Sequence, residues 1–294
     1  MNTLLESLKF FVLIFLELTA LFLGISTIIG LVFRYISQET LGKALSKKGL
    51  LGNFLGAALG AVTPFCSCST IPMTVGLLRA GVPFGATMSF VLASPLLNPI
   101  ILTMFFALLG WKATLIYGAV TFLAAMFSGA ALEILGLQQD VKKVRISGGH
   151  QESDTSLPFA KKVREAFRDA WRDFTGILVY LVLGVAVGAA IYGYLPMDFV
   201  TRLAGYGNPF AIPVAAVIGI PLYIRAETVI PIAVALTQKG MSMGAVLALI
   251  IGGAGMSIPE MSMLAGIFKR RLVIVFVGVV FLTAVIAGFS FNAL

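Results

Sequence analysis

Five uninterrupted apolar runs, Phe10–Phe33, Phe84–Gly110, Ala113–Leu132, Phe174–Tyr194 and Leu272–Phe289, decide most of what this chain can become. Each exceeds or nearly meets the roughly 18–20 residues a helix needs to cross the hydrocarbon core of a bilayer. In hydrocarbon a peptide group must find its hydrogen-bond partner inside the protein, and a helix provides one within its own segment. Charged residues make up 12% of the 294, about half the 25% typical of a soluble domain. Mean hydropathy is +1.01. The expected fold class is therefore an all-α polytopic membrane protein, multi-pass in the cell (inner) membrane. The first run reads as a span rather than a cleaved leader, because it is too long and no small-residue cleavage pattern precedes Arg34.

The net charge of +8 lies in the loops. Membrane topology accounts for that placement without a nucleic-acid partner. Eight of the 21 basic residues fall in one polar stretch, Gln138–Arg172: Lys142, Lys143, Arg145, Lys161, Lys162, Arg164, Arg168 and Arg172. This stretch reads as a cytoplasmic linker ending in an amphipathic helix from about Leu157 into Trp171. The single histidine, His150, sits beside Gly148-Gly149 within it and reads as a solvated loop residue, since one isolated histidine has no ligand partner.

Sliding the chain by 159 residues superimposes its halves. From Ile71 to Ala86 there are seven identities in sixteen positions, among them Pro72 on Pro231, Gly81 on Gly240 and Gly85 on Gly244. The expected organisation is a first transmembrane repeat over 1–136, a charged cytoplasmic linker over 137–172 and a second repeat over 173–294. Each half has one long span, a proline-broken pair of short arms (Leu50–Arg79; Phe210–Lys239) and two further spans. Arms of about 14 residues are too short to cross an ordinary bilayer. Read as re-entrant hairpins, they leave three spanning helices per half, and an odd number inverts the second half. Arg34, Lys43, Lys47, Lys48, Arg79, the linker and Lys269-Arg270-Arg271 then all face the cytoplasm, as the positive-inside tendency asks. Inverted repeats with discontinuous helices are a recurring plan of secondary transporters.

The chemistry concentrates at the breaks. The first hairpin turns through Thr63-Pro64-Phe65-Cys66-Ser67-Cys68-Ser69, with a second proline at Pro72. Cys66 and Cys68 are the only cysteines and are poorly spaced for a disulfide with each other, so a free soft-ligand pair is expected, although small buried cysteines also serve as packing. The repeat sets Arg225 opposite Cys66 and Glu227 opposite Cys68. Ionisable groups at membrane depth face a cavity or one another, so these two read either as a structural ion pair or as a substrate-binding arginine beside a proton-coupling carboxylate. Glu260, in Gly255-Met256-Ser257-Ile258-Pro259-Glu260, is the second coupling candidate. Asn98, in Ser94-Pro95-Leu96-Leu97-Asn98-Pro99, would cap freed peptide groups or touch substrate. The eleven methionines read mainly as gap-fillers. No phosphate-binding P-loop, metalloprotease helix or nucleophile elbow occurs, so an enzyme is not expected, and neither a cofactor nor a resident metal is implied.

Thr63–Ser69, Ile71-Pro72, Gly81-Val82-Pro83 and Ala93–Pro99 together resemble the predicted-permease family that includes ArsP and the YraQ-type proteins, over nearly the whole chain. Characterised members of the ArsP branch are efflux permeases for trivalent organoarsenicals. The resemblance therefore implies arsenical resistance by export of a soft, thiol-reactive small molecule, with Cys66 and Cys68 at the matching positions. A doubly thiolate-bound arsenic(III) species fits two cysteines. The alternatives are a transporter or channel for a sulfur-containing metabolite or anion, held by Arg225, and a membrane thiol-redox protein in which Cys66 and Cys68 cycle. The partners expected are this solute and the lipid bilayer.

Overall fold

A computed structural model describes residues 11–13, 15–17, 19–20, 22–24, 26–28, 30–31, 49–63, 67–142, 159–194, 210–222, 233, 236–237 and 240–292. The described residues are almost all helical. The helices are α1 (Phe11–Ile28), α2 (Leu50–Val62), α3 (Ser67–Arg79) and α4 (Phe84–Leu96). The helical run Pro99–Ile134 follows, interrupted at Gly110 (φ 78°, ψ 175°), and its two arms are α5 (Ile101–Ala107) and α6 (Gly110–Ile134). After a short 3-10 turn at Leu137–Asp140 come α7 (Phe159–Tyr194), α8 (Ala211–Leu222), α9 (Met243–Gly255), α10 (Ile258–Ile267) and α11 (Arg270–Asn292). By length and composition α1, α6 and α11 can each cross a membrane. Two bent pairs, α4 with α5 at 47° and α9 with α10 at 42°, are long and apolar enough only when each is taken as one span.

The 159-residue shift read from the sequence also relates the elements. It carries α4 onto α9 residue for residue and brings α2, α5 and α6 onto α8, α10 and α11 within two residues. The turns agree in detail. Gly81 and Gly240 both have positive φ (77° and 90°), where a Cβ would be strained and glycine is free to go. Each closes a helix C-terminus in the same way. Val82 N–H donates to the Leu77 carbonyl at 3.1 Å, and Met241 N–H to that of Leu236 at 3.0 Å.

Packing repeats as well. Membrane helices approach closely where small residues recur every fourth position. Gly52, Gly56 and Gly60 on α2 correspond to Ala211, Ala215 and Gly219 on α8, all buried. A Cβ at Gly60 would lie 2.8 Å from the Phe90 carbonyl oxygen and 3.0 Å from Ser94 N on α4. One at Gly219 would meet the equivalent pair on α9, the Leu249 carbonyl and, at 2.9 Å, Gly253 N. At their far ends α4 and α9 rest on α6 and α11 through Gly85 against Gly129 and Gly244 against Gly288.

Two features differ from a plain reading of hydropathy. The apolar run Phe84–Gly110 is not one straight helix, because the chain breaks at Leu97–Asn98 between Pro95 and Pro99. Gly110 then reverses the chain, and Tyr117 returns beside Phe105 with ring centroids 4.7 Å apart. In addition, α7 runs unbroken through Arg172, so the amphipathic segment and the apolar span that follows it form one rod of about 54 Å at 1.5 Å per residue. α1 lies antiparallel to it. Phe22 meets Phe174 at 5.7 Å, and a Cβ on Gly30 would be 3.5 Å from that of Ala166.

The end of α6 and the start of α11 are held together. Val141 and Phe268 form an isolated antiparallel bridge. Lys142 N–H donates to the Ile267 carbonyl (2.9 Å) and Lys269 N–H to that of Asp140 (2.8 Å). Lys142 Nζ caps the Ala265 carbonyl at 2.6 Å, where a cation suits the negative end of α10. Asp140 is buried and ion-paired to Lys269 (3.5 Å) and, more loosely, to Arg271 (4.0 Å).

Candidate functional site

The described helices are interrupted at three places that the sequence marks with proline. The first follows α2, where Thr63 adopts extended backbone (φ −88°, ψ 123°), as expected of a residue preceding proline. α3 then begins at Ser67. Cys68 is its second residue. The Cys68 side chain and all of Cys66 lie outside the described residues, as do Arg225 and Glu227. The proposed meeting of thiols, guanidinium and carboxylate therefore falls outside the described structure.

The second interruption is Leu97–Asn98. Pro95 sits inside the last turn of α4 and cannot donate to the carbonyl four residues back. Asn98 immediately precedes the helical run that begins at Pro99, and its carbonyl accepts from Leu102 N–H at 3.0 Å. That is the first backbone bond of the helix that follows, which any residue at this position would accept. The Leu96 carbonyl, at the end of α4, accepts a hydrogen bond from the Tyr117 hydroxyl at 2.7 Å.

The third interruption, Met256–Ser257, is the repeat equivalent of the second. Ser257 caps α10, its carbonyl accepting from Met261 N–H at 2.9 Å. Pro259 lies in the first turn, where the lost donor costs little, and Glu260 is next. The first half has Ile101 at the corresponding position. Glu260 is buried, and its Oε2 has no hydrogen-bond partner among the described residues.

Two contacts join these breaks. Leu96 and Gly255 are repeat-equivalent and touch: a Cβ on Gly255 would sit 2.9 Å from Leu96 Cδ2. Each lies within two residues of a helix break, so this contact brings the second and third interruptions together. In addition, Thr70 in the first turn of α3 hydrogen-bonds Ser94 at the end of α4 (Oγ1 to Oγ, 3.4 Å), both fully inside the protein. α3 also packs against α10. The first turn after the Cys-Ser-Cys sequence is thereby tied to the second break, and its helix to the one carrying Glu260. Sequence reading did not single out Thr70, Ser94 or Tyr117. Ser94 lies inside the quoted Ser-Pro-x-x-Asn-Pro motif, but the partners of all three are set only by the tertiary fold.

A family described as a predicted permease, ArsP_1, matches residues 3–293. The chain belongs to this family. Among its relatives, the UPF0718 protein YcgR of Bacillus subtilis strain 168 is 25% identical over 246 residues, covering 83% of this chain and 82% of its own length. The UPF0718 protein YraQ of Escherichia coli strain K12 is 25% identical over 263 residues, 86% of this chain and 71% of the relative. The UPF0718 protein MJ0584 of Methanocaldococcus jannaschii is 18% identical over 336 residues, covering 91% and 92%. No solved structure is a significant match. Family and apolar helices together identify a membrane permease.

Proposed function

We propose that this permease is a secondary transporter exporting a soft or thiol-reactive small solute, such as a trivalent organoarsenical. Its site would lie where the helix breaks converge, between the Cys66–Cys68 turn, Asn98 and Glu260, with Arg225 and Glu227 entering from the equivalent hairpin. The observation that carries this reading is the Thr70–Ser94 hydrogen bond, because it ties the helix led by the cysteines to the Leu97–Asn98 break. Interrupted backbone at membrane depth is tolerated where it lines a cavity or is buried in protein, and transporters place substrates at such breaks. Thiolates are preferred ligands of soft centres. Everted vesicles challenged with trivalent arsenicals and, separately, with sulfur-containing anions test it. Arsenical accumulation that ends when the cysteines are replaced supports export of a soft solute. Accumulation of the sulfur anions alone, dependent on Arg225, would replace that reading with the anion one.

The halves are inverted in this proposal. The Val141–Phe268 bridge supports it, because it pins the end of α6 to the start of α11. These helices are repeat equivalents, and they run through this shared corner in opposite chain directions. Single cysteines placed in a Cys66→Ser, Cys68→Ser background should show it by membrane-impermeant labelling. Lys47 and Arg270 should read cytoplasmic, and Asp198 and Trp111 external. Trp111 and Arg270 are equivalent positions, both exposed, so finding them on the same side would sink the inversion.

A further inference from the structure

The exposed face of α7 changes character along its length. Lys161, Arg164, Arg168, Arg172, Thr175, Val179, Leu183 and Ala186 follow at steps of three and four, so they share one face of the helix. All are exposed, Val179 at 65% and Leu183 at 59%. The opposite face, Lys162, Ala166, Ala170 and Phe174, is buried. The sequence of Phe174–Tyr194, the second part of α7, is that of a membrane span, and on such a span an exposed stripe of valine and leucine faces acyl chains. Two to five turns nearer the helix N-terminus the same stripe passes to headgroup level, where it carries four cations. Phe167 (48% exposed) and Trp171 (50%) flank them, the kind of aromatic side chain that sits at a membrane–water interface.

The neighbouring helix sets the level independently. The antiparallel pairing of Phe22 with Phe174 and Gly30 with Ala166 puts the exposed Ile28 of α1 level with Arg168. Apolar and cationic surface thus overlap in height over the last turns of α1. Arginine tolerates this because its side chain leans toward the helix N-terminus and carries its charge outward. The acids of this stretch, Glu165 and Asp169, lie off the stripe and already have partners. No ion pair among the described residues engages the four cations.

We propose that the Lys161–Arg172 face of α7, with Phe167 and Trp171, is a binding surface for anionic phospholipid headgroups on the linker side of the membrane. The chemistry is that of a polybasic juxtamembrane segment, where attraction to an anionic surface amounts to at most roughly fivefold in affinity for each cation. The phosphate diester supplies charge and acceptors to the guanidinium forks, and the aromatic rings hold the depth.

Trp111→Phe leaves Trp171 as the sole tryptophan for fluorescence in reconstituted vesicles. Brominated phosphatidylglycerol should quench it severalfold more strongly than brominated phosphatidylcholine at equal mole fraction, and salt should shrink the difference. Replacing Arg164, Arg168 and Arg172 together by Gln should equalise the two lipids, whereas replacing all three by Lys should keep the preference. Equal quenching without those replacements, no quenching by either lipid, or a preference that survives the Gln variant would each overturn the proposal. The comparison of lipids on the intact cationic face needs no substitution within it, so a folding defect in the Gln variant leaves a decisive result.

Discussion

Replacing both Cys66 and Cys68 by Ser should abolish export of a thiol-reactive solute while the protein still inserts and folds. Serine matches cysteine in size closely enough for a tight turn, but it offers a hard, un-ionised oxygen where a soft centre needs a thiolate. A loss of only about 1.4 kcal/mol per ligand compounds to about 100-fold in affinity for the pair. Each single variant should therefore fall part of the way and the double variant furthest. The fold should survive because the neighbouring structure is held by other groups. Thr63 ends α2 by donating its amide to Leu59, and Thr70 anchors α3 to Ser94. Isothermal titration with a trivalent aryl arsenical, alongside vesicle transport, measures both quantities. Full transport in the double variant would make these cysteines packing residues and return the site to the polar groups at the other breaks.

Much of this arrangement is legible in the sequence wherever the determinant is local. Pro64 announces the end of α2, Gly81 and Gly240 announce matching turns, and the 159-residue shift predicts the paired elements that the fold contains. The break at Leu97–Asn98 is harder, since hydropathy records what surrounds a residue and not its backbone angles. The run Phe84–Gly110 reads as continuous even though Pro95 and Pro99 bracket its interruption. Three features have no local signal at all. The Asp140–Lys269 pair, the Lys142 cap on α10 and the Tyr117 hydrogen bond to Leu96 join residues 129, 123 and 21 positions apart. Such partners follow from how the two halves pack. Glu260 is the mixed case. Its place beside a proline break is visible in the sequence, but that its Oε2 lacks a partner among the described residues follows only from the tertiary fold.

That unpartnered oxygen makes Glu260→Gln the sharpest test of energy coupling. In the secondary transporter proposed above, uphill movement draws on an ion gradient or on exchange. A carboxylate buried at a helix break with one oxygen unpaired needs a proton, a cation or a substrate group to complete it, since an isolated buried charge is costly. It also lies in the first turn of α10, the positive end of the helix dipole. Glutamine keeps the shape and removes the titration. Under proton coupling, concentrations on the two sides of the vesicle membrane should equalise in the Glu260→Gln variant, whereas substrate–substrate exchange continues at an unchanged rate. The two readouts separate a coupling role from a packing role, because a misfolded or blocked protein loses both. Gradient-driven accumulation retained in Glu260→Gln and lost in Glu227→Gln would transfer coupling to the opposite hairpin. Accumulation that survives both substitutions but collapses when sodium is withdrawn would assign it to oxygen ligands at the breaks, the carbonyls around Ser94–Pro99 and Gly255–Glu260.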